Sequence, residues 1–184
     1  LLAKPAYRQL FSRPQHAGNK YYGNYESFAQ AKAQVPRTSL PSNYDTPAAG
    51  GLYRELLDQL RVADYPVLYW LSRLFEQGTR QVFDLGGHIG TSYYAFRPYL
   101  RYPAETRWLV HDVPAVIAAG REWALKHDPE GLLSFTASRV DAEDSHLLLT
   151  SGALQYLAYT LPALLQRLRQ HPSPVLAHHV PLHP

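Results

Sequence analysis

Between residues 81 and 180 the chain alternates short apolar runs with segments of helical pattern, and few folds accommodate that alternation. The runs are Gln81-Val82-Phe83-Asp84-Leu85, Trp108-Leu109-Val110-His111, residues 132–135, Leu147-Leu148-Leu149-Thr150 and residues 175–180. Each has strand length, and the wholly apolar fourth suits a central strand covered on both faces. Between them, Thr91 or Ser92 caps a helix that Pro98 disturbs. Pro114 opens a second, with Val116, Gly120, Trp123 and His127 on one face. Thr160 caps a third, running through Leu161, Leu164, Leu165 and Leu168. Strand–helix–strand units cross over right-handedly and keep their strands parallel. The expected fold class is therefore α/β, with a Rossmann-like doubly wound parallel sheet.

Two segments precede the sheet. Residues 52–77 space Leu52, Leu56, Leu60, then Val67, Leu71 and Leu74 at helical intervals. Asp64 and Pro66 mark a restart, and Gly78 a stop, so two leading helices or one kinked helix are expected. Residues 1–50 are irregular, with five prolines and five tyrosines (Tyr7, Tyr21, Tyr22, Tyr25, Tyr44), and only 25–34 could form a short helix. The expected organisation is thus a tyrosine-rich N-terminal arm over 1–50 and an α/β domain over 51–184. Tyrosine brings apolar area and a polar tip, so the arm is expected to pack on the body rather than serve as a substrate lid.

Composition removes several function classes. With 46% hydrophobic and 18% charged residues in 184, the chain is not disordered. No apolar run reaches the roughly 18 residues that span a bilayer, and no signal-peptide pattern opens the chain, so a cytoplasmic protein without membrane spans is expected. Cysteine is absent, which excludes disulfides, thiolate metal ligands and cysteine nucleophiles. Residues 1–50 carry 6 basic and 2 acidic side chains (+4) and the remainder 12 and 13 (−1), too sparse a basic patch for a nucleic-acid partner. Methionine is absent even at position 1, and the chain ends at Pro184 just after a strand, so the natural protein is expected to be longer.

The chemistry concentrates in Asp84-Leu85-Gly86-Gly87-His88-Ile89-Gly90, a glycine-rich turn between strand and helix. Glycines there permit left-handed backbone and close ligand approach, and ligands of such sheets bind beyond the carboxyl ends of the strands. Asp112, 28 residues after Asp84, ends the next strand as an exposed acid able to accept from a ribose diol. The dinucleotide pattern G-x-G-x-x-G fails, because the positions counted from Gly86 fall on His88 and Thr91. A leading acid disfavours a pyrophosphate and favours a cation, as in S-adenosylmethionine (SAM). No Gly-Lys-Ser/Thr follows, so a P-loop is excluded.

Asp84-Leu85-Gly86-Gly87-His88-Ile89-Gly90 resembles motif I of class I SAM-dependent methyltransferases. Trp108-Leu109-Val110-His111-Asp112-Val113-Pro114, continuing Ala115-Val116-Ile117-Ala118-Ala119-Gly120-Arg121, resembles their second motif. Ser151-Gly152-Ala153-Leu154-Gln155-Tyr156-Leu157 resembles the segment after strand four. With Gly23-Asn24-Tyr25-Glu26-Ser27-Phe28-Ala29-Gln30-Ala31 and Asn43-Tyr44-Asp45, the set is similar to a little-characterised bacterial family assigned to the methyltransferases, sometimes encoded among surface-polysaccharide genes. The resemblance spans most of residues 20–184. It implies strand order 3-2-1-4-5, SAM as cofactor and methyl transfer to oxygen or nitrogen of a small-molecule or saccharide acceptor. Gly86, Gly87 and Gly90 would cradle the methionine part, with Asp84 near it and Asp112 on the ribose. Ser151 and Gly152 would lie beside the methyl donor. His88 departs from the family pattern, where glycine is usual, and narrows the loop. The antiparallel strand pair that usually follows strand five lies beyond Pro184 or is missing.

No catalytic base stands out, and displacement at a sulfonium needs chiefly positioning. His88, His111, Gln155 and Tyr156 are the catalytic candidates near the cleft, each also readable as loop packing or helix capping. The alternatives are a SAM-binding module without turnover and a nicotinamide-dependent oxidoreductase, which the glycine spacing opposes. Among nine histidines, His178 and His179 adjoin on a strand, where neighbours point to opposite faces and do not chelate together. With no His-Glu-x-x-His either, no metal site is expected.

Overall fold

The computed structural model describes residues 8–9, 23–34, 44–52 and 54–180. The chain divides into two units, Leu1–Tyr44 and Asp45–Pro184, so the boundary falls a few residues before the expected 50/51. In the first unit, α1 (Phe28–Gln34) begins where Ser27 Oγ accepts from Gln30 N–H at 3.1 Å and Gln30 Oε1 accepts from Glu26 N–H at 2.8 Å. Tyr7, Tyr21, Tyr22 and Asn43 lie outside the described residues.

The second unit is built on a five-stranded, wholly parallel sheet. Its strands are β1 (Gln81–Leu85), β2 (Arg107–His111), β3 (Leu133–Thr136), β4 (Leu147–Ser151) and β5 (Val175–His178), in the order β3-β2-β1-β4-β5. The parallel sense is the one expected from the alternation of strands and helices, and the order is the one the family resemblance implies. The helices are α2 (Tyr65–Glu76), α3 (Thr91–Phe96), α4 (Pro114–His127) and α5 (Leu161–Leu165). Strand alternation sends side chains to two cores. Val82, Trp108, Leu147 and Leu149 pack with Leu71 and Phe75 of α2, Tyr93 and Phe96 of α3 and Ile117 of α4. Phe83, Leu85 and Leu148 pack on the other face with Leu164 and Leu168. That two-sided burial is why β4 reads as an unbroken apolar run. Its one buried hydroxyl, Thr150, donates to the Leu85 carbonyl at 3.0 Å.

The leading region differs from expectation. Of residues 52–77 only α2 is an α-helix; Arg54–Leu56 and Val62–Asp64 are single 3-10 turns. The leucine spacing at 52, 56 and 60 is helical, but the segment follows Gly50-Gly51 and is too short to meet the cost of helix nucleation without a packed face: Leu52 is exposed, Leu56 and Leu60 are half-buried, and of its four leucines only Leu57, off that spacing, is buried. Asp64 does not cap α2 through its side chain; Oδ2 instead accepts the Arg61 N–H at 2.8 Å, closing the turn before it. Pro66 does fall in the first turn of α2, and Gly78 ends it with φ 98°. No helix among the described residues is long and apolar enough to cross a membrane.

Candidate functional site

Because all five strands run the same way, their carboxyl ends open on one edge. The loop 86–90 follows β1 there, Asp112 follows β2, Gly152 follows β4 and His179 follows β5. The sheet thus brings the sequence candidates to one side of the domain.

The loop is shaped by two close approaches. At Gly86 (φ 72°) a Cβ would stand 2.3 Å from the Ala153 Cβ, so this glycine lets the loops after β1 and β4 touch. At Gly87 a Cβ would stand 2.5 Å from the Asp84 carboxylate. Asp84 therefore lies beneath the loop, fully buried, rather than in an open cleft. Its Oδ2 accepts the Trp108 indole N–H at 3.0 Å, while Oδ1 is buried with no hydrogen-bond partner among the described residues. Burial pushes this carboxyl up to about 7, with the indole N–H working against the rise and the Asp112 charge adding to it.

His88 and Asp112 lock the loop to the end of β2. The His88 N–H donates to Asp112 Oδ2 at 2.9 Å, and the Val113 N–H donates to Oδ1 at 2.8 Å. Asp112 is thus half-buried and committed to two backbone donors, not the exposed strand-end acid expected from sequence. Burial raises its pKa against the pull of those N–H groups. Each oxygen keeps a lone pair for a further donor. His88 sits at φ 57°, a backbone region that suits glycine and is tolerated by few other residues, histidine among them. Its ring does not narrow the loop from within. It is buried, and Nε2 lies 2.9 Å from the Ala49 carbonyl, which makes Nε2 the proton-bearing nitrogen. Burial lowers its pKa, with the Ala49 carbonyl and Asp112 opposing.

The remaining candidates divide. Gln155 is anchored by Nε2–H donation to the Gly152 carbonyl at 2.7 Å, and its Oε1 is buried without a hydrogen-bond partner among the described residues. Tyr156, one residue on, is 57% exposed. His111 packs its ring 5.9 Å from that of Phe83, and burial lowers its pKa. Ser151 is the last residue of β4 and pairs in register with His178 of β5. Gly152 (φ 64°) donates its N–H to the His178 carbonyl at 3.0 Å.

One cluster has no sequence signal. Asp64, fully buried, meets His178 and His179 across a separation of more than a hundred residues. Asp64 Oδ1 lies 3.2 Å from His179 Nε2 and 3.6 Å from His178 Nδ1. The expectation that adjacent histidines diverge fails because the strand ends at His178. His179 turns left-handed (φ 52°), which brings both rings to the same carboxylate. Burial raises the Asp64 carboxyl, but the Arg61 hydrogen bonds outweigh it and the net pKa is lowered. Burial, helped by the neighbouring His179, pushes His178 down to about 4.

No protein-family model matches the chain, and no curated protein matches it. Similar chain paths occur among solved structures. A methyltransferase from Geobacter sulfurreducens matches at 14% identity over 82% of this chain and 78% of its own, with TM-score 0.47. A SAM-dependent methyltransferase from Aquifex aeolicus matches at 16% identity over 70% and 68%, with TM-score 0.45. An O-methyltransferase family protein from Burkholderia thailandensis matches at 22% identity over 51% of this chain, with TM-score 0.36; this chain covers 30% of its length. The all-parallel order β3-β2-β1-β4-β5 is that of the Rossmann-like class I methyltransferase fold.

Proposed function

We propose that the chain binds SAM at the loop 86–90 and transfers its methyl group to an oxygen or nitrogen of a small or sugar-like acceptor. One observation carries the reading. Two carboxylates converge on the loop: Asp84 lies buried beneath the Gly87 backbone, and Asp112 holds the His88 N–H beside it. Acidic groups in that place favour a ligand bearing an ammonium and a sulfonium and oppose the pyrophosphate of a nicotinamide dinucleotide. The orphaned Asp84 Oδ1 fits the same reading, since a cation above the loop favours the ionised form of the buried carboxyl without touching it.

In this reading the backbone at Gly86, Gly87 and Gly90 cradles the methionine part. Asp112 offers its spare lone pairs to the ribose hydroxyls, and Ser151 and Gly152 flank the methyl donor. Bound SAM supplies a methyl group already activated on sulfur. The chain supplies orientation and exclusion of water. Gln155, whose Nε2–H donates to the Gly152 carbonyl, holds the turn after β4 in place, which makes it a positioning residue.

A second reading, a module that binds SAM without turnover, is favoured by the commitment of the His88 and Gln155 nitrogens to backbone carbonyls. Calorimetric titration with SAM and with NAD, followed by assay of S-adenosylhomocysteine formation over a panel of hydroxyl and amine acceptors, separates the three. SAM binding with product formation is expected. SAM binding without product for any acceptor supports the second reading, and NAD binding without SAM binding overturns both.

A further inference from the structure

We propose that Asp64, His178 and His179 form a binding site for a divalent first-row transition-metal cation of the zinc, cobalt or nickel class. The proposal does not depend on SAM binding.

The geometry is the first support. The three ligand atoms lie within 4.8 Å of one another, and Asp64 Oδ1 stands 3.2 Å and 3.6 Å from the two imidazole nitrogens. A cation about 2.0–2.1 Å from each of two donors holds them roughly 3.0–3.4 Å apart at octahedral or tetrahedral angles. The two carboxylate–imidazole separations are close to those, and the contact of 3.6 Å is too long for a hydrogen bond.

The second support is that the cluster is poorly explained without a shared ligand. Both ring nitrogens of His178 are buried with no hydrogen-bond partner among the described residues, though its side chain is only 11% exposed. Buried polar groups are nearly always partnered, and an orphan costs stability. Its neighbour His179 holds a left-handed backbone, a second unfavourable feature. Both place the rings, whose centroids are 4.7 Å apart, against one carboxylate. That carboxylate is itself fixed. Arg61 donates to it from its backbone N–H at 2.8 Å and from Nε and a terminal nitrogen at 3.2 Å each, the kind of outer-shell support that orients metal-bound carboxylates.

The donor set names the ligand class. Two imidazoles and one carboxylate are borderline ligands, suited to zinc, cobalt and nickel. Magnesium and calcium prefer all-oxygen sites. Three protein ligands leave a coordination position open to water or to an oxygen of a bound molecule. The site borders Gly152, where a Cβ would stand 3.5 Å from the His179 Cβ.

The test is equilibrium dialysis of the whole untagged chain against Zn2+ alone, with visible absorption of the Co2+-loaded protein. One ion per chain is expected, with ligand-field bands that show nitrogen and oxygen ligation. His178→Ala and His179→Ala should each weaken Zn2+ binding by at least about tenfold to a hundredfold. His127→Ala and His171→Ala, away from the cluster, should leave it unchanged. Asp64→Asn should also weaken it, read only if its thermal melt shows a folded protein, since Asp64 closes the Arg61 turn. Lack of stoichiometric binding by the wild type overturns the proposal. So does binding that survives both His178→Ala and His179→Ala, or equal competition by Mg2+.

Discussion

The backbone N–H of His88 donates to Asp112 Oδ2 at 2.9 Å, tying the glycine loop after β1 to the end of β2. Asp112 therefore has two tasks, holding the loop and, in the proposed function, holding a ribose. Asp112→Ala should lower stability by about 1–3 kcal/mol, because two backbone donors lose a charged acceptor. SAM affinity should fall on the order of ten- to a hundredfold. Urea unfolding and calorimetric titration of the same variant check both. Lost stability with intact SAM affinity would leave Asp112 a loop fastener only.

Asp84 makes stability depend on pH. Its carboxyl titrates near 7 in the fold against an ordinary value of 3.8, so the folded state holds the proton more tightly than the unfolded chain. The associated stability is fully present below about pH 3.8 and is lost as pH rises through about 7. Asp84→Asn removes this titration. The melting temperature of the variant relative to wild type should therefore rise steadily between pH 4 and 8. Melts at intervals across that window check it, and a difference independent of pH would contradict the raised value.

Gly86→Ala should destabilise the domain by about 1–3 kcal/mol, since the new Cβ meets the Ala153 Cβ and the backbone is left-handed. Ala153→Gly in the same chain should restore part of the loss by removing the clash, while the strain at φ 72° persists. A double-mutant cycle measured by chemical denaturation gives the coupling. Strict additivity would show that the two loops do not press on one another.

His88→Gly relieves a left-handed backbone worth about 1–2 kcal/mol but forfeits the ring's hydrogen bond to Ala49 and its buried contacts. The two nearly offset, so stability should change by about 1 kcal/mol or less. SAM affinity should stay within a few-fold and turnover should persist. A selective fall in turnover of roughly a hundredfold, with binding intact, would make His88 a general base.

The sheet was legible because local signals and global order agree. The apolar run of β4, the strand ending at Leu85 and the glycines after it each fix an element, and parallel strand–helix units leave few arrangements to choose among. The placement of Gly86, Asp112 and Ser151 on one edge follows from that order alone. What a residue touches does not. Sequence marks Asp84 as a strand-end acid, yet only the packing of Trp108 and the Gly87 backbone puts it under the loop with its pKa raised. Leu52, Leu56 and Leu60 have helical spacing, but none of the three is fully buried, and packing decides whether such a segment becomes a helix.

The Asp64, His178 and His179 cluster marks the limit most sharply. Alternation along a strand is a local rule, and it sends adjacent histidines to opposite faces. It ceases to apply where β5 ends and His179 turns left-handed, a turn no local signal announces. The carboxylate those rings meet comes from the turn just before α2, more than a hundred residues earlier. The sequence by itself determined the strands, their parallel sense and the loop, because periodicity and glycine placement act over a few residues, while the strand order came from the family resemblance. Only the tertiary structure decided which side chains converge, because convergence depends on contacts between segments that carry no information about one another locally.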